Sequence, residues 1–252
     1  MFSVSYDVLA LLISAAFAAG FVDSIAGGGG LITVPMLILA GADPVTALAT
    51  NKLQGLFGAG SAALSYSRAG HVSLKRQISP ALIAFAAAIA GALLASRLPT
   101  DLIRLGLPVL LIAIALFFAL KPGLTDTDRV RRIPPALFAL TFVPLIGFYD
   151  GLIGPGAGAF YMLGFVTLAG FGVLKATAHT KLLNFASNLG GMLAFALVAT
   201  PWWTVGLAMG AAQVAGATLG SRLAMRVGAG VIKPVLVITS TALAMRLIWQ
   251  MF

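Results

Sequence analysis

The chain contains no cysteine, and among its 252 residues there are only seven acidic side chains and two histidines. Without cysteine there are no disulfides and no thiolate metal or redox chemistry. So few acids and histidines supply no paired carboxylates, no metal-ligand cluster and no activated nucleophile, so neither an enzyme nor a bound metal or cofactor is expected. The period-two alternation of a membrane barrel is missing, which argues against β structure. Polar linkers are scarce as well: residues 122–133 form the one such stretch of any length, and it is expected only to join what flanks it.

What is present is apolar. Hydrophobic residues make up 60% of the chain, and the mean hydropathy of +1.04 exceeds what a water-soluble domain needs to build its core. Windows such as 78–96, 103–120, 182–199 and 231–250 carry few charges, and a stretch of about 20 such residues crosses a hydrocarbon core of about 30 Å. The expectation is an all-α, multi-pass integral membrane protein with lipid as its surroundings. The first segment, from Ser5 to Phe21, lacks a basic start and contains Asp7, so it is expected to be retained and not cleaved as a signal peptide. The net charge of +9 sits in short loops between apolar segments, where it orients the chain in the membrane, and nucleic acid is not an expected partner.

Landmarks recur in order along the chain. Asp150 in FYDGLIGPGAG follows Asp23 in FVDSIAGGGG by 127 positions, and Lys181 in AHTKLL follows Lys52 in ATNKLQ by 129. The run from Gly91 to Leu98 returns from Gly216 to Leu223 after 125 positions, and Pro108-Val-Leu returns at Pro234 after 126. Four matches in register imply a duplication within one transporter domain, residues 1–252. The first repeat spans 1–121 and the second 134–252. Each reads as five hydrophobic segments: 6–22, 31–41, 45–67, 78–97 and 103–120, then 135–149, 157–171, 174–199, 203–224 and 231–250. Arg68, Lys75 and Arg76, then Lys121, Arg129, Arg131 and Arg132, mark two cytoplasmic loops, whereas the loop at Thr200 is uncharged. An odd number of segments per repeat therefore predicts two inverted repeats with both termini outside.

The glycines interrupt these segments at chemically telling places. Segment 31–41 covers only about 16 Å, so Gly27 to Gly30 are expected to bend a helical hairpin within the bilayer, and Gly154 and Gly156 to repeat that bend from the opposite face near the midplane. Helix N-termini opening at such bends attract anions. Lys52 and Lys181 lie deep in the following helices, with Thr50, Asn51, Gln54, His179, Thr180, Asn184 and Asn188 on the same two helices. Two readings of the charges stay open. Asp23 with Lys52, and Asp150 with Lys181, form structural pairs within each repeat; or the lysines hold an anion while an aspartate takes up protons.

On the run from Asp23 to Pro35, on Ala49-Thr-Asn-Lys52, and on their echoes from Asp150 to Gly158 and at Thr180-Lys181, the chain resembles the sulfite exporter TauE/SafE family over nearly its whole length. The second-half motif departs from the first, with Pro155 inside the glycine run and His179 in place of Thr50. The resemblance implies a secondary transporter, an exporter of small sulfur-containing anions such as sulfite, sulfoacetate or sulfonates across the bacterial inner membrane. Transport of another small organic anion, or an anion channel, is the alternative.

Overall fold

The computed structural model describes residues 4–95, 97 and 125–249. Among these residues every regular element is helical: α1 (Tyr6–Ala26), α2 (Gly30–Leu39), α3 (Pro44–Arg68), α4 (Ile78–Ala95), α5 (Pro135–Leu152), α6 (Ala157–Thr167), α7 (Val173–Val198), α8 (Trp203–Val227) and α9 (Ala229–Trp249). The segment expected at 103–120, the landmark at Pro108, the basic Lys121 and the start of the linker lie outside the described residues.

Local chemistry sets several boundaries. Asp43 caps α3, its carboxylate accepting from the amides of Val45 and Thr46 at 3.1 Å each, with Pro44 at the first helical position. Helix α1 ends where Gly27 takes φ 82° and ψ 164°, a backbone region essentially restricted to glycine. Within α5, residues Phe138–Phe142 widen into a π turn. Pro144 lies two residues beyond it, and the wider turn relieves the clash its ring would make with the preceding turn.

Four helices, at Tyr6–Ala26, Lys75–Ala95, Pro135–Leu152 and Val173–Val198, are long and apolar enough to cross a membrane. Helices α3 and α8, of 25 residues each, match them in length but carry more polar side chains. The polarity of the bundle is reversed relative to a soluble protein. Leu82, Leu140, Leu145, Leu197 and Leu207 face outward, while Lys52, Lys181, Asp150, Asn184 and Gln213 are buried. Such an arrangement is favourable only where the surroundings are themselves apolar.

The two halves interlock. Helix α1 packs chiefly on α8, and α4 on α5, while α3 crosses α7 and also packs on α8. Small residues allow the close approach: Gly91 of α4 lies against the Phe148 carbonyl of α5, and its match Gly216 of α8 lies against the Phe17 carbonyl of α1, neither leaving room for a Cβ.

The linker does more than join, which corrects the expectation for residues 122–133. Asp126 accepts from the Leu174 amide at the start of α7 and from the Ala229 amide at the start of α9, both at 2.9 Å. Asp128 accepts from the Gly172 amide at 2.9 Å and from Lys175 Nζ at 2.5 Å. Gly172, the N-cap of α7, has no side chain to do this itself, so the linker caps in trans what Asp43 caps from within its own helix. The Gly172 amide, and after it Lys175, hold the Asp128 carboxyl below its ordinary value of 3.8. A depressed carboxylate contributes stability that is present above that value and lost as the pH falls through the lower native one. Asp126→Ala is expected to lower stability by about 1 kcal/mol per lost cap, read as a drop in melting temperature in detergent; an unchanged value would mean that water replaces both caps.

Candidate functional site

The site forms where the two glycine bends touch. Gly27, at the end of α1, packs against the backbone of Gly158 and Ala159 at the start of α6, and Gly30 at the start of α2 faces Pro155. Gly154 and Gly156 both adopt φ 89°, which lets the second bend turn within three residues. A tyrosine holds each bend: Tyr66 Oη donates to the Ser24 carbonyl at 2.9 Å and Tyr149 Oη to the Pro155 carbonyl at 2.7 Å. An asparagine backs each helix start, with Asn51 beside Gly30 and Asn184 beside Gly158.

The charged residues pair across the halves, not within them. Lys52 Nζ lies 2.5 Å from Asp150 Oδ1, with the two side chains 1% and 3% exposed. The second Asp150 oxygen accepts from Ser187 Oγ. Lys181 donates to the Asp23 backbone carbonyl and lies 3.6 Å from Asp23 Oδ2, whose side chain is 17% exposed. Asp23 Oδ1 accepts from the Gly29 amide at 3.1 Å. The pairing of Asp23 with Lys52 and of Asp150 with Lys181 is thereby corrected. Because α3 crosses α7, each lysine points at the bend of the other half.

Between the bends lies a cavity of about 30 Å³, room for about two waters. Among the expected site residues, its walls include Gly28, Gly29, Gly30, Asn51, Gly154, Gly156, Asn184 and both aspartates. Lys52 sits behind Gly154, and neither lysine is part of the wall. Thr50 accepts from the Trp202 amide at 3.0 Å, Thr180 donates to the Ala176 carbonyl at 2.9 Å, and Gln54 donates to Asn51 Oδ1 at 2.9 Å. His179 stands apart from the cavity, its ring edge-on against the stacked Phe165 and Phe171 and its Nδ1 at 2.9 Å from the Lys175 carbonyl.

Sequence reasoning missed Ser187 and Gln213 altogether. Gln213 is a cavity wall residue, and the signal that marks it is an amide inside the small-residue run Met209-Gly-Ala-Ala-Gln-Val-Ala-Gly216. Ser187 carries no comparable signal, because single serines occur throughout apolar helices.

Among the described residues, no group of acids and histidines is arranged to hold a metal. A family model described as Sulfite exporter TauE/SafE matches residues 12–247. The chain is 59% identical over 248 residues to Probable membrane transporter protein ORF9 of Sinorhizobium sp, covering 98% of this chain and 95% of the relative. It is 46% identical over 250 residues to Probable membrane transporter protein YfcA of Escherichia coli K12, covering 99% and 93%. A Probable membrane transporter protein of Haemophilus influenzae is 41% identical over 247 residues, covering 98% and 97%. No solved structure matches the chain.

Proposed function

The chain belongs to the sulfite exporter TauE/SafE family, whose members are membrane transporters and not enzymes, and from that premise we propose that it exports a small sulfur-bearing oxyanion, such as sulfite, sulfoacetate or another sulfonate, across the bacterial inner membrane. The observation that carries this reading is the polar cavity where two glycine bends meet inside a bundle with an apolar exterior. Helices α2 and α6 both begin at it, and helix N-termini present about half a positive charge to an anion.

In this reading the halves are inverted repeats of about five helices each, with the bends near the bilayer midplane and both termini outside. Transport then proceeds by rocking one half against the other around the cavity. The ion pairs between Lys52 and Asp150 and between Lys181 and Asp23 cross that boundary, so the lysines act by balancing the aspartates behind the bends. Asp23, the looser and more exposed partner, is the carboxylate placed to exchange a proton as an anion enters.

Flux in proteoliposomes tests the reading. Sulfite or a sulfonate should move saturably and respond to an imposed pH gradient, and Asp23→Asn should flatten that response. Movement of carboxylates or phosphate with sulfite and sulfonates inert would overturn the substrate assignment. Cysteines replacing Ser73 and Thr127 should label only from the cytoplasm and one replacing Thr200 only from outside; labelling of Ser73 and Thr200 positions from one side would remove the inverted repeat.

A further inference from the structure

The polar side chains that line the cavity differ in what they still have to offer a ligand. Asp150 has both oxygens engaged, by Lys52 and Ser187. Asn51 Oδ1 accepts from Thr33 Oγ1 at 2.7 Å and from Gln54 Nε2. Asn188 Nδ2 donates to the Asn184 carbonyl at 2.8 Å. The side-chain amides of Asn184 and Gln213, by contrast, make no hydrogen bond among the described residues, although these residues are only 5% and 3% exposed. Both residues line the cavity, and amide groups open to a cavity with no protein partner are free to bond whatever occupies it.

The duplication sharpens the point. At the offset that relates Lys52 to Lys181, the counterpart of Asn184 is Gly55 and that of Ser187 is Gly58; at the offset that relates Gly91 to Gly216, the counterpart of Gln213 is Ala88. The first half has thus no side-chain amide at these places. Its glycines make the room that the second half's side chains fill, since Gly55 lies against Asn188 and Gly58 against Gln213. Two matched bends frame the cavity; side-chain amides line it from α3, α7 and α8, and Asn184 and Gln213 are those with neither end of the amide hydrogen-bonded among the described residues.

Resting on the anion-transport reading above, we infer that Asn184 and Gln213 are the residues that contact the transported anion and set its specificity, their amide N–H groups donating to its oxygens while both lysines stay in their ion pairs. Uncharged donors suit a carrier. They hold an oxyanion firmly enough to select it and loosely enough to release it, which a bare buried ammonium would not do.

Binding to the purified full-length protein tests this, with sulfite, methanesulfonate, acetate and phosphate as separate probes. Asn184→Ala and Gln213→Ala should each weaken binding of whichever probe the wild type holds by about tenfold or more, with melting temperature without ligand close to wild type. Gln213→Glu, nearly equal in shape, should abolish binding by placing a carboxylate beside the anion, and it serves if the alanine variant does not fold. Ser187→Ala should instead lower the melting temperature and leave affinity unchanged. Wild-type affinity in Asn184→Ala and Gln213→Glu would overturn the inference while leaving the transporter reading intact. Binding of phosphate or acetate only, weakened by the same variants, would uphold the inference and remove sulfur oxyanions as the substrate. A wild type that binds none of the four probes overturns both.

Discussion

Lys52→Ala should lower unfolding stability by about 3 to 5 kcal/mol, because it leaves the Asp150 carboxylate buried without its counter-charge. The side chains of this pair are 1% and 3% exposed and only 2.5 Å apart, so bulk solvent has little access to the carboxylate once the ammonium is gone. Among the described residues Ser187 alone remains as a donor to Asp150, and one neutral hydroxyl does not offset a full charge in a low dielectric. The double variant Lys52→Met with Asp150→Leu removes both charges at similar volume and should recover most of the loss, since a buried pair contributes little net stability against an apolar replacement. Lys181→Ala should cost less, because Asp23 is 17% exposed, lies 3.6 Å from the lysine and keeps the Gly29 amide. Unfolding in detergent for the three variants checks the order. Equal losses for Lys52→Ala and Lys181→Ala, or a double variant no better than the single one, would show that the Lys52 pair is not the tighter lock.

Gly27→Ala should abolish transport. At φ 82° and ψ 164° a side chain costs of order 1 to 3 kcal/mol in backbone strain alone. A Cβ there would also come within 2.6 Å of the Ala159 nitrogen and 2.7 Å of the Gly158 carbonyl carbon. Both are backbone atoms of the opposing bend, so they yield only if the two hairpins move apart and the cavity between them opens. Gly30→Ala is the control. Its Cβ would meet the Asn51 amide at 3.1 Å, a side chain able to shift, so the protein should fold and bind with altered affinity. Flux of Gly27→Ala equal to wild type in proteoliposomes would mean that contact between the bends is not required for transport.

Much of the architecture is legible because a bilayer imposes few options. Apolar stretches of spanning length must be helices, and the expected segments that fall within the described residues match the observed ones to within a few residues, as with 174–199 against α7, Val173–Val198. Helix α2 is as short as the sequence implies, and Asp43-Pro44 starts α3 as capping chemistry requires. The isolated glycines such as Gly91 serve helix packing, as small residues do in membranes. His179 stands out in the sequence for its chemistry alone, and that chemistry says nothing of its edge-on packing against the stacked Phe165 and Phe171, away from the cavity.

By itself, then, the sequence determined the class of protein, the helix spans, the positions of both glycine bends and the presence of two lysines at depth, because each follows from local composition and helix geometry. Tertiary structure alone decided which charge meets which, since Lys52 and Asp150 stand 98 positions apart and Lys181 and Asp23 158 apart. A pair within one half and a pair across the halves look alike on paper, and only the crossing of α3 over α7 selects between them. The same crossing brings Asn184 of α7, and the packing of α8 on α3 brings Gln213, to a cavity that neither half encloses alone.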